Sequence, residues 1–150
     1  MDAADLLDRT GFDAEESVLT RRQAEVLALR EHGLTQSAIG DRLGTSRANV
    51  SAVERAARDN VARARETAAF ADLLAAPARV TVDAGDDLYD VPARVYDAAD
   101  AADVKVSQTA SDLRRTVAAA AGDAVDGRRA VEPLLVGVTR EGRVRVRRRR

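Results

Sequence analysis

The chain has no cysteine and no tryptophan, a single histidine, and only four aromatic residues in 150. Without cysteine there are no disulfides, no Cys-ligated zinc and no thiol catalysis. The lone histidine, His32, argues against histidine-dependent chemistry, and no serine, threonine or carboxylate has a credible partner set for catalysis, so no enzyme is expected. No stretch approaches the roughly 20 apolar residues of a membrane span. The N-terminal MDAADLLDRTGFDAEES is acidic and lacks the basic start of a secretory signal. These absences lead us to expect a soluble, cytoplasmic protein without a membrane partner or cofactor. Alanine and valine supply much of the apolar content, so small cores built from aliphatic contacts are expected.

The net charge of −1 hides a strong segregation. Residues 1–18 carry six acids and one base, and residues 19–69 carry nine bases and six acids. Residues 70–139 carry twelve acids and seven bases, whereas residues 140–150 carry seven arginines and one acid. Positive charge thus collects in two places, the distribution expected of a nucleic-acid binder. Lys105 is the only lysine and aspartate dominates the acids, a usage that suits a GC-rich genome or a saline cytoplasm.

The first basic region contains TQSAIGDRLGTSRANVSAVE, residues 35–54, in which two short helical patterns meet at Gly44. A helix is expected to begin at Thr20, where Thr20 and Gln23 fit a capping box, and to stop at Gly33. Thr35 caps a second helix with Ile39 and Leu43 inward. Gly44 makes the turn, and Ser46 caps a third helix with Val50, Val53 and Ala57 inward. Gly40 supplies the small residue where two such helices pack closely. No glycine or proline follows until Pro77, so the third helix is expected to run to about Ala68 or Ala75. This is the pattern of a helix-turn-helix, and its partner is expected to be double-stranded DNA. Arg47, Ala48, Asn49, Ser51, Ala52 and Arg55 then lie on the exposed face, the N-terminal ones aimed at base edges in the major groove. Arg47 suits guanine, Asn49 suits adenine or instead faces the helix terminus, and Ser51 with the alanine methyls suits close approach. Thr45 and Ser46 are candidates for phosphates, Gln36 for a phosphate or base, and Arg55 and Arg58 for the DNA backbone. A homodimer is expected, because one recognition helix covers few base pairs. A helical hairpin with a merely solvated polar face, or one that contacts the transcription machinery as an adaptor, is the competing reading.

The run LTRRQAEVLALREHGLTQSAIGDRLGTSRANVSAVERAARDNVARA resembles the Tfx family of archaeal transcriptional regulators, and its first part is similar to region four of sigma factors. DDLYDVPARVYDAADAADVKV and GRRAVEPLLVGVTREGRVRV resemble the C-terminal domain of that family. The resemblance spans about residues 18–147 and implies a site-specific DNA-binding regulator.

Residues 1–18 lack sustained periodicity and are expected to form a flexible acidic arm, with at most one helical turn at Asp5–Asp8. The helix-turn-helix domain is expected over 19–76. From Arg79 to about residue 147 the order β-α-β-α-β-β is expected, with strands at Arg79–Val82, Val104–Val106, Pro133–Val138 and around Val144 and Val146, and with Asp90 capping the first helix. The overall class is α+β: an all-α helix-turn-helix joined by a long helix to a small C-terminal α/β domain. That domain would dimerise the protein or sense a ligand such as a small-anion effector. Tyr89 and Tyr96 could line a ligand pocket, though core packing is the leading reading of Tyr96; Ser107, Thr109 and Ser111 could hold an oxyanion, with helix capping accounting for one of them; and Gly127-Arg128-Arg129 reads as a solvent-exposed turn that could add an anion-binding or DNA-facing patch. The carboxylate-rich turn Asp83–Asp87 reads as a solvated loop. The Arg147–Arg150 run is expected to be an unpacked tail able to anchor on DNA phosphates.

Overall fold

The computed structural model describes residues 1–149, so that Arg150 alone lies outside the described residues. The chain forms two compact units, Met1–Glu66 and Thr67–Arg150.

The first unit is helical: α1 (Ala3–Thr10), α2 (Arg21–Glu31), α3 (Gln36–Leu43) and the first part of α4 (Arg47–Ala75). Helix α1 corrects the expectation of a flexible arm over 1–18. The Asp2 carboxylate accepts the Asp5 amide at 2.9 Å, and Gly11 closes the helix with φ of 69°. Its acids face outward, while Ala3 is buried in one cluster with Val26, Leu29, Ile39 and Val50, and Leu7 is buried as well. Leu6 packs beside them. An apolar stripe at i, i+3 and i+4 therefore suffices to dock an otherwise acidic segment, each buried leucine contributing about 2–3 kcal/mol. Helix α2 opens with the capping box of Thr20 and Gln23, and its Leu29 is wholly buried.

The second unit centres on a three-stranded antiparallel sheet in the order β1 (Ala78–Val82), β4 (Leu134–Val138), β5 (Val144–Arg148). Helices α5 (Val91–Ala101) and α6 (Ala110–Ala121) cover it. Leu134, Val136 and Val138 of β4 join Val95, Leu113 and Val117 in an aliphatic core. The alternate residue, Gly137, points to the other face. There a Cβ would come within 2.5 Å of Leu73 in the last turn of α4, so glycine makes room for that helix. Asp72, one residue earlier, takes the Arg145 guanidinium at 2.7 Å.

Several expectations for this unit need correction. Val104–Val106 is not a strand. It belongs to the connector between α5 and α6, where the Val104 amide bonds to Ala99 O at 2.9 Å and no ladder forms. Val104 and Val106 still pack against the core, so their alternation records burial without strand pairing. A two-residue hairpin, β2 (Val125–Asp126) with β3 (Arg129–Ala130), takes up the Gly127-Arg128 turn instead. Asp90 makes no side-chain cap; Asp87 caps the preceding single helical turn by accepting the Tyr89 amide at 2.9 Å. Pro92 does lie in the first turn of α5. Finally, Arg147 and Arg148 are paired in β5 opposite Leu135 and Leu134. Arg147 lies over the Phe70 ring, and Arg148 binds Ala121 O and Asp123. Local acids and an aromatic face give these arginines partners that a charge count does not reveal.

Candidate nucleic-acid interface

The turn between α3 and α4 is set by two glycines. Gly44 adopts a left-handed φ of 69°, open to glycine at little cost. Gly40 lies under the turn: a Cβ there would meet Thr45 O at 2.7 Å and the Arg47 amide nitrogen at 3.4 Å. The absence of that one carbon lets the start of α4 lie directly against α3. Thr35 caps α3 through the Ala38 amide at 3.1 Å, and Ser46 Oγ accepts the Asn49 amide at 3.1 Å at the start of α4. Ile39, Val50 and Ala57 are fully buried, and Leu43 and Val53 pack at the margin of the same core.

Glu54 sits on the inward side of α4, 7 % exposed, and binds groups from three helices. Arg30 of α2 approaches at 2.9 Å, Gln36 Nε2 of α3 donates at 3.1 Å, and Arg58, one turn on, donates at 3.1 Å. Arg30 also donates to Leu34 O at 3.0 Å. Burial pushes the Glu54 carboxyl up, but the hydrogen bonds from Gln36, Arg58 and Arg30 outweigh it and hold the group below the ordinary glutamate value. The carboxylate is thus an ionised tie joining all three helices of the motif.

This tie redistributes the site residues expected from sequence. Gln36 and Arg58 each spend a donor on Glu54, so that both side chains are tied to the packing of the three helices. Arg47, Ala48, Asn49, Ala52 and Arg55 are exposed along the N-terminal part of α4, with Ser51 partly covered. Asn49 Nδ2 donates to Thr45 Oγ1 at 2.9 Å, which holds both side chains at the helix start. Among the described residues, Arg47 and Arg55 have no hydrogen-bond or ion-pair partner. The Glu54 tie itself was missed in the sequence. Its signal was an acid in the inward row Val50, Val53, Ala57, a place where an unpartnered charge would be costly.

Comparison with known proteins adds the family. Residues 17–63 match the model for sigma-70 region 4, and residues 64–146 match the model for the C-terminal part of the DNA-binding protein TFX. The chain belongs to the Tfx family of DNA-binding transcriptional regulators. A Haloarcula marismortui protein provisionally named as a transcriptional regulatory protein is 52% identical over 98% of this chain and 92% of its own length. The DNA-binding protein Tfx of Methanothermobacter marburgensis is 32% identical over 87% of this chain and 95% of its own length. The two family models meet at residues 63 and 64, close to the division of the chain into its two compact units. No helix among the described residues is long and apolar enough to cross a membrane.

Proposed function

We propose that this protein regulates transcription by placing the N-terminal end of α4 in the major groove of a specific DNA site. The observation that carries this reading is the pair Arg47 and Arg55. Two arginines without partners among the described residues project from an exposed face whose start is fixed by Gly40, Gly44 and Ser46. A guanidinium held this way suits the two acceptors of guanine, and Arg55, two turns along, suits a phosphate. Asn49 and Ser51 complete the base-reading set, Ala48 and Ala52 offer methyls to thymine, and Thr45 and Ser46 lie where phosphates approach. No catalytic step is involved, and the work is done where the genome lies, in the cytoplasm.

The protein acts as a homodimer in this reading, since a single recognition helix reads too few base pairs for operator-level specificity. Phe70 and Leu74, one turn apart on α4 and 50% and 66% exposed, support a self-association surface. Sedimentation of the free and DNA-bound protein tests the dimer; a monomer in both states overturns it. Mapping of bound genomic sites for the wild type and Arg47→Ala tests the DNA reading. A relaxed preference at one base of the site is expected, and an identical map for the variant would assign Arg47 no role in recognition.

A further inference from the structure

The C-terminal unit contains a cleft of about 450 Å³ that the DNA reading does not use. It is shallow and open, and its apolar lining is Leu88, Ala118 and the side chain of Tyr89, 57% exposed. Two guanidiniums lie over that ring, Arg128 at 4.4 Å and Arg114 at 4.7 Å from the centroid. They differ in how their charge is met. Arg128 is bound to Asp87 at 2.5 Å, which neutralises it and fixes the hairpin turn that carries it. Arg114 has no carboxylate partner among the described residues; its only hydrogen bond is to Ser111 Oγ at 3.3 Å. The cleft therefore presents one oriented, uncompensated guanidinium beside a hydroxyl and above an aromatic plane.

Each feature selects for the same ligand. A guanidinium held over an aromatic ring and by one hydroxyl keeps N–H donors for two oxygens of a carboxylate or phosphate. Leu88, Ala118 and the part of the Tyr89 side chain that the two guanidiniums leave exposed favour a hydrocarbon body over a bare inorganic ion. The volume lies within the range of small-molecule sites, about 300–1,000 Å³. We propose that this cleft binds a small organic oxyanion, a carboxylate or phosphate monoester on an aromatic or apolar body, with Arg114 and Ser111 on the anion and Tyr89, Leu88 and Ala118 against the body. The site lies wholly within the C-terminal unit, so it stands or falls independently of the recognition helix.

The test is calorimetric titration of the full chain, without DNA, with phenyl phosphate, benzoate, inorganic phosphate and phenol. Saturable binding of phenyl phosphate or benzoate is expected, and the tighter of the two identifies the headgroup. Inorganic phosphate and phenol, each lacking half of the ligand, should bind about tenfold or more weakly. Arg114→Gln should weaken binding by about tenfold or more. Ala118→Leu, which bulks out the apolar lining from an exposed position on α6 and leaves both arginines in place, should do the same. Absence of saturable binding by either organic anion overturns the proposal. So does binding that both variants leave unchanged, or an Arg114→Gln defect confined to duplex DNA affinity, which would assign the cleft to the phosphates of DNA.

Discussion

In the N-terminal unit three helices converge on one buried carboxylate, whereas in the C-terminal unit two helices cover a sheet through an aliphatic core. The difference follows from what each set of elements can bury. Helix α3 has eight residues, of which only Ile39 and Gly40 are buried, too short a stripe to set its angle against two neighbours by apolar contact alone. Glu54 supplies direction: its two oxygens take donors from α2, α3 and α4, and each donor reaches them from one arrangement only. The sheet needs no such tie, because the registers β1 with β4 and β4 with β5 already specify the placement of every strand residue.

The largest way to break this comparison is Leu113→Ala. It removes a wholly buried side chain from the aliphatic core and should cost the C-terminal unit about 2–5 kcal/mol. Hydrogen exchange read unit by unit checks it; a loss well below that range would mean that the C-terminal unit does not depend on its apolar core. Glu54→Ala should cost the N-terminal unit about 2–3 kcal/mol, since three donors lose a charged acceptor.

Acid sharpens the same point. The Glu54 carboxyl is held below its ordinary value, so its stabilisation is complete above the unfolded-state range near about pH 4 and is lost as pH falls through the lower folded-state value. Acid titration of the N-terminal unit should show this loss in the wild type and lack it in Glu54→Gln; identical acid profiles would count against an ionised tie.

Arg47→Ala should cost about 1–3 kcal/mol in DNA affinity, measured by fluorescence anisotropy, while leaving thermal stability unchanged. A stability loss of similar size would recast Arg47 as a structural residue. The smallest effects should be equal in the two units. Thr35→Ala and Thr109→Ala each remove a helix cap, at 3.1 and 3.2 Å respectively, and should each cost about 1 kcal/mol. A marked inequality would show that local capping, too, depends on which unit surrounds it.

Much of the helical unit was legible in the residues. Thr20 with Gln23, Thr35, Ser46, Gly40 and Gly44 each act through neighbours a few positions away, so spacing alone reveals them. Helix α1 carried a readable signal as well, Asp2 at its start, Gly11 at its end and Ala3, Leu6 and Leu7 between, but the weight of acids obscured it. The strands Ala78–Val82, Leu134–Val138 and Val144–Arg148 were close to expectation, while Val104–Val106 was not, because alternation reports which side chains are buried and says nothing of a hydrogen-bonded neighbour. The exposure of the face from Arg47 to Arg55, proposed above to meet DNA, was legible. Which polar residues also bond within the protein was not legible: in sequence Gln36 and Arg58 look no different from Arg47, yet both donate to Glu54.

The sequence by itself determined where helices start and stop, where the glycine turn falls, and that basic charge gathers on the helix after that turn. These depend on contacts within a few residues, where backbone geometry ties position to partner. Tertiary structure decided which charges are free. Glu54 meets Arg30 from 24 positions away, Asp87 meets Arg128 from 41, and Asp72 meets Arg145 from 73. Such pairings follow from how elements pack, and they leave Arg47 and Arg55 open on one unit and Arg114 open on the other.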